Sequence, residues 1–114
     1  MKRYALALIV SLATMGCLPK MRDTKVPSSA GSYSTLETEA QKAGWKAEQA
    51  PGGKGAREGG YFYYLKVTTT SGGVLYFTKN NATGNIAFSC KGLVGDECVG
   101  AANKLFGPAF GGHY

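Results

Sequence analysis

Hydrophobic and polar residues alternate through the middle of the chain in the manner of β-strands. Segment 61–70 (YFYYLKVTTT) is rich in aromatic and β-branched residues, and segments 74–79 (VLYFTK) and 85–90 (NIAFSC) follow after short turns that contain glycine. Runs of this length, separated in this way, indicate an antiparallel meander, to which segment 45–50 adds a possible first strand. The sequence therefore predicts a small sheet of three to four strands.

Two segments with helical spacing flank these strands. Ser34 and Glu37 have the S-x-x-E spacing of a capping box, and Gly44 suits the left-handed position that ends a helix. A second helix is expected from Asp96 to Phe106, with its apolar residues on one face and a stop at the Gly-Pro pair that follows. The expected fold is an α+β domain in which an N-terminal and a C-terminal helix pack on one face of the sheet.

Composition limits what this chain can be. It has 114 residues, of which 44% are hydrophobic, and a formal net charge of +6. A chain of this length holds one small domain, which excludes a multidomain enzyme, and its apolar content excludes disorder throughout.

The first 17 residues have the parts of an export signal. Lys2 and Arg3 precede an apolar segment at 4–15 (YALALIVSLATM), and Gly16 leads to Cys17. The stretch 13–17 (ATMGC) resembles the lipobox of bacterial lipoproteins, although threonine stands where that family most often has leucine. The alternative is an ordinary cleaved signal peptide, or a short buried helix, with an incidental cysteine.

The resemblance implies that Cys17 becomes the new N-terminus and carries acyl chains such as palmitate, which anchor the protein in the cell envelope. Leu18 follows, where the family's inner-membrane retention signal has aspartate, so the outer membrane is the implied location. Removal of residues 1–16 lowers the net charge to +4. Residues 17–31 are then expected to form a flexible tether, and residues 32–114 a single domain. Segment 51–60 (PGGKGAREGG) is expected to be a mobile loop within it.

Cys90 and Cys98 are the cysteines left after lipidation. In an oxidising envelope they are expected to form a structural disulfide that joins the closing helix to the sheet. A redox pair is the alternative, because a thiol at a helix N-terminus has a lowered pKa, but seven intervening residues are not a redox spacing. His113 is the only histidine, so neither a zinc site nor a histidine base is expected.

No catalytic or cofactor-binding motif is found, and nucleic-acid binding is not expected from so few clustered basic residues. Alternation along the strands assigns one set of side chains to the core and another to the opposite sheet face. The expected core residues are Leu65, Leu75, Phe77, Ile86 and Phe88. The residues expected on the opposite face are Phe62, Tyr64, Lys66 and Tyr76. Either this face receives a partner, or loop 51–60 or the tail 107–114 covers it.

The sequence thus favours a non-catalytic envelope lipoprotein that binds a protein or polymer partner through the aromatic sheet face. The alternative is a small inhibitor, exclusion or effector lipoprotein that acts on a receptor or hydrolase through loop 51–60. A redox function of Cys90 and Cys98 is the third hypothesis.

Overall fold

The computed structural model describes residues 20–111 as an α+β domain, which confirms the expected fold class. Its helices are α1 (Ala30–Lys42) and α2 (Asp96–Phe110). Its strands are β1 (Arg22–Pro27), β2 (Lys46–Gln49), β3 (Ala56–Glu58), β4 (Tyr61–Tyr63), β5 (Leu65–Thr68), β6 (Val74–Asn80) and β7 (Asn85–Lys91), with a 3₁₀ turn at Pro51–Gly53. The predicted signal peptide and Cys17 lie outside the described residues.

The predicted meander forms the centre of the main sheet. Leu65 of β5 pairs with Phe77 of β6, and Phe77 pairs with Phe88 of β7. On the outer sides β2 pairs with β5 and β1 pairs with β7, so the strand order is β1-β7-β6-β5-β2 and every pair is antiparallel. The sheet therefore has five strands rather than three to four, and α1 connects its two edge strands.

Edge strand β1 lies within the segment that was predicted to be a tether, and that expectation was wrong. Asp23 aligns with Ala87, and the hydroxyl of Thr24 donates to the carbonyl of Ile86 at 2.8 Å. Val26 is buried in the core. Because Thr24 and Val26 alternate with charged residues over only one short strand, the pattern resembles a polar linker. The folded domain therefore begins near residue 22 rather than at 32.

Helix α1 begins after Ser29, five residues before the predicted cap at Ser34. The hydroxyl of Ser32 accepts the N–H of Ser29 at 3.4 Å, and it donates to the carbonyl of Pro27 at 3.0 Å. Ser32 thus supplies the N-terminal hydrogen bond that a capping box usually takes from glutamate. The predicted helix end is confirmed, because Gly44 has a φ of 80° just beyond it.

Helix α2 continues four residues past its predicted end. Pro108 lies inside the last turn, where it removes one backbone hydrogen bond. The ring of Phe110 nevertheless packs on that of Phe106, with a centroid distance of 6.2 Å, which favours continuing the helix. Gly111 ends it, with a φ of 88°.

The long strand predicted for residues 61–70 is interrupted at Tyr64, where the chain bends. Before the bend, β4 pairs with β3 as a separate hairpin, and Arg57 aligns with Phe62. After the bend, β5 joins the main sheet. Strand β3 and the 3₁₀ turn come from the glycine-rich segment 51–60, so the expectation of a mobile loop there was wrong.

A single core fills the space between the main sheet and the two helices. Phe106 of α2 meets Phe77 and Phe88 with ring centroids 5.8 Å and 6.0 Å away, and Leu36 and Ala40 of α1 complete the cluster. All five predicted core residues are fully buried, which confirms the alternation that assigned them. The other sheet face lies towards the hairpin.

A candidate binding cleft beside the aromatic hairpin

Tyr76, which was predicted to bind a partner, lies beneath the β3–β4 hairpin. The ring of Tyr61 stacks on it at 4.4 Å between centroids, and Tyr63 packs beside it at 5.5 Å. Its side chain is only 1% exposed, and its hydroxyl donates to the carboxylate of Glu58. The two rings that cover Tyr76 belong to neither of the segments expected to cover this face, and only Glu58 comes from segment 51–60. Tyr76 is therefore not on an accessible surface.

Lys66 takes part in the same contact. Its ammonium group donates to the other oxygen of Glu58 at 2.8 Å, which joins the main sheet to the hairpin. The hydrogen bonds from Lys66 and Tyr76 hold the pKa of Glu58 below its ordinary value, and Glu58 in turn raises the pKa of Lys66. Burial, together with the bond to Glu58, raises the pKa of the Tyr76 hydroxyl, so that group stays a donor. Lys66 and Tyr76 therefore fasten the hairpin to the sheet.

Acid is expected to loosen the hairpin. A carboxyl group whose pKa is lowered on folding stabilises the folded form above its unfolded pKa, and this contribution is lost as the pH falls through the folded value. We therefore expect hydrogen-exchange protection factors in β3 and β4 to fall in acid. Glu58→Gln should lower them at neutral pH and remove their acid dependence.

The control for this measurement is Glu39→Gln, which removes a carboxylate that pairs with Lys42 at 3.3 Å on α1. It should leave hairpin protection unchanged. Equal protection in wild type and Glu58→Gln at neutral pH would show that Glu58 does not hold the hairpin.

The other two predicted residues, Phe62 and Tyr64, belong to a row of rings at the edge of the hairpin. Tyr64 lies 5.5 Å from Tyr33 of α1 and 5.7 Å from Phe62, measured between ring centroids. The guanidinium of Arg57 lies over the Phe62 ring at 5.3 Å, a cation–π distance. Phe62 is 38% exposed. The structure thus separates the four predicted residues into two pairs in different surroundings.

Gly55 leaves room for the Phe62 ring. A Cβ atom built on Gly55 would overlap Cζ of Phe62. The absence of a side chain at Gly55 therefore allows the ring to cross the backbone at the start of β3.

Two adjoining cavities include Tyr64 and Lys79 in their walls. The first, which we call the tyrosine cleft, has a volume of about 390 Å³ and is lined by Ser28, Ser29, Tyr33, Gln49, Ala50, Gly53, Tyr64 and Lys79. The second, the hairpin groove, has a volume of about 570 Å³. Its walls include Met21, Arg57, Tyr61, Phe62, Asn80 and Asn81. Both volumes fall in the range of small-molecule sites, which is about 300–1,000 Å³.

The tyrosine cleft combines ring faces with hydrogen-bonding groups. Burial raises the pKa of Tyr33, so its hydroxyl stays protonated, and it lies 3.5 Å from the hydroxyl of Ser28. Gln49 is exposed and Lys79 brings a cation, whereas none of the lining residues is acidic. Such a wall can stack against a ring or an apolar side chain and can bind polar or anionic groups beside it.

The sequence did not point to Tyr33, Gln49 or Lys79 as site residues. Tyr33 fell just outside the predicted helix, Gln49 belongs to a segment predicted only as a possible strand, and no contact was predicted for Lys79 at the end of its strand. The available signal was the spacing of Ser29 and Ser32. These two serines form the capping box of α1, which begins early enough to include Tyr33 in its first turn.

The predicted disulfide between Cys90 and Cys98 is present and joins the end of β7 to the first turn of α2. The hydroxyl of Tyr61 donates to the carbonyl of Cys90 at 3.3 Å, so the hairpin is also attached near this crosslink. Within residues 20–111, no three potential metal ligands of the histidine, cysteine or carboxylate type lie together.

Over the same described range, neither helix has the length and apolar content needed to cross a bilayer. No family model, no curated protein and no solved structure matches this chain.

Proposed function

We propose that this protein is a non-catalytic lipoprotein of the bacterial cell envelope, anchored in the outer membrane through acylated Cys17. Its domain binds a protein or polymer partner in the tyrosine cleft. The observation that carries this proposal is the cleft itself, in which Tyr33 and Tyr64 bring ring faces next to Gln49 and Lys79. Tyr76 and Lys66 contribute indirectly, because they hold the hairpin whose edge carries Tyr64.

The disulfide supports a location in the envelope. Structural disulfides persist in oxidising compartments and are rare in the reducing cytosol. The bond between Cys90 and Cys98 is consistent with export, and so is the N-terminal sequence that resembles a lipobox. It also favours a structural function of these cysteines over redox chemistry.

The alternative of an inhibitor or effector lipoprotein assigns the inhibitory contact to loop 51–60. Ala56 to Glu58 of that segment form β3, and Glu58 fastens the hairpin to the sheet. Because Glu58 is already bonded to Lys66 and Tyr76, it is not available for a contact in the site of another protein, which favours the binding module.

Photo-crosslinking in intact cells tests the cleft. A crosslinking amino acid at Gln49, which is exposed and lines the tyrosine cleft, is expected to capture a defined envelope component. The same probe at Lys104, exposed on α2, is the matched control and should capture nothing at comparable yield.

A second substitution makes the capture specific to the cleft. Tyr64→Ser in the chain with the probe at Gln49 should lower the yield by up to about tenfold, since an aromatic pair contributes about 0.5–1.5 kcal/mol beyond the area it buries. Capture that is equally strong from Lys104, or unaffected by Tyr64→Ser in a folded protein, would contradict the proposal.

A further inference from the structure

The hairpin groove lies where the chain leaves the domain towards the proposed anchor. Only residues 18–21 separate Cys17 from the start of β1, and Met21 lines the groove. Even fully extended, this stretch reaches at most about 18 Å. Because a domain of about 90 residues is wider than that, the acyl chains of Cys17 must lie on the groove's side of the molecule.

The groove also carries the kind of side chains that contact a membrane surface. Three large hydrophobic residues are exposed among those that the structure describes, and two of them, Met21 at 51% and Phe62 at 38%, line this groove. The third is Val94, in the loop before α2. Isolated exposed hydrophobic residues are ordinary, but two in one cavity beside a lipid anchor favour contact with a lipid interface.

The charges of the groove suit anionic headgroups. Arg57 and Lys79 are exposed in its walls, and none of its lining residues is acidic. The nearby carboxylate of Glu58 is bonded to Lys66, and that of Asp23 accepts a hydrogen bond from Thr83 at 3.2 Å. Each Lys or Arg near an anionic leaflet contributes about 1 kcal/mol.

We propose that the domain rests on the bilayer through the hairpin groove. Met21 and Phe62 enter the headgroup layer, and Arg57 and Lys79 bind anionic phospholipid headgroups of the leaflet that holds the acyl chains of Cys17. This inference rests on the proposed lipid anchor. The tyrosine cleft shares Tyr64 and Lys79 with the groove. This orientation therefore places the cleft beside the membrane surface, where it binds its partner.

Quenching of indole fluorescence by brominated lipids tests this orientation. The mature lipoprotein is placed in vesicles of brominated phosphatidylcholine and phosphatidylglycerol. The reporter is Phe62→Trp combined with Trp45→Phe, which leaves one indole in the groove. Wild type is the matched control, because its single Trp45 contacts Lys104 of α2 instead. We expect strong quenching of the introduced indole and weak quenching of Trp45.

Charge variants test the headgroup contact. The reporter protein is combined with Arg57→Gln and Lys79→Gln. These substitutions should lower the ratio of domain resting on the bilayer to domain free of it about 25-fold, or about fivefold per charge. Lys42→Gln with Lys46→Gln removes two exposed charges near the end of α1 and should leave quenching unchanged. Phosphatidylcholine vesicles without phosphatidylglycerol should weaken quenching in the same way as the groove variant.

Failure of the proposed lipid anchor and failure of the inferred orientation give different results. Mass spectrometry of the purified protein first establishes whether Cys17 is acylated, and an unmodified Cys17 would overturn both the anchor and this inference. If Cys17 is acylated but both indoles are quenched equally, or quenching does not depend on phosphatidylglycerol or on Arg57 and Lys79, only the inferred orientation is wrong.

Discussion

Replacing Phe77 with alanine is expected to lower the free energy of unfolding by about 3–5 kcal/mol. The Phe77 ring is fully buried at the centre of the sheet and contacts the rings of Phe88 and Phe106, with centroids 6.1 Å and 5.8 Å away. Removing it leaves a cavity between β6, β7 and α2 that the surrounding side chains fill only in part. Denaturant unfolding followed by circular dichroism measures the loss.

A loss of this size is a large part of the total stability of a domain with about 90 residues, so Phe77→Ala is expected to be close to unfolding. Phe77→Leu retains most of the apolar volume and should show a smaller loss with a measurable transition. Phe62→Ala, at a partly exposed ring, is the matched control and should cost much less. Equal losses for the substitutions at positions 77 and 62 would show that the core does not lie between the sheet and the helices.

Removing the disulfide is expected to have the next largest effect. Cys90→Ser with Cys98→Ser should lower the free energy of unfolding by about 2.5 kcal/mol, because the bond closes a short loop and restricts the unfolded chain. For a domain of this size, the melting temperature should fall by about 10–20 °C. Thermal denaturation of the oxidised wild type and the double variant measures this difference.

Chemical reduction provides the control for the disulfide. Adding a thiol reductant to wild type should produce nearly the same decrease in melting temperature, and adding it to the double serine variant should produce none. If reduction leaves the wild-type melting temperature unchanged, the bond between β7 and α2 does not stabilise the domain. Lost function in a serine variant that is folded at permissive temperature would instead support the redox hypothesis.

The central strands and the core were predictable because their pattern is strong. Leu75 and Phe77, and likewise Ile86 and Phe88, alternate with residues of the opposite face, and period-two alternation assigns such residues to one side of a strand. The disulfide was predictable because Cys90 and Cys98 were the cysteines left after the predicted lipidation of Cys17.

The other elements depend on contacts that a local pattern does not contain. Strand β1 is short and carries several charges, and its burial depends on pairing with β7, more than fifty residues later. The bend at Tyr64 interrupts an unbroken run of β-formers, because Tyr61 and Tyr63 pack over Tyr76 instead of continuing the sheet. Tertiary packing thus overrides strand propensity there.

These differences also changed the candidate site. The sequence placed Phe62, Tyr64, Lys66 and Tyr76 on one sheet face, whereas the hairpin covers Tyr76 and engages Lys66. Tyr64 gains a neighbour from α1, because that helix starts early enough to include Tyr33. The candidate site therefore moved from a flat sheet face to a cleft between the helix, the sheet edge and the hairpin.

The lipid anchor at Cys17 is the claim on which the proposed location depends, and the intact mass of the protein extracted from membranes tests it most directly. We expect a mature chain of 98 residues that begins at Cys17 and carries the additional mass of its attached lipid. Cys17→Ser should lack this mass and should not be retained in the membrane by lipid. An unmodified Cys17 in the wild-type protein, or lipid still attached to Cys17→Ser, would contradict the claim.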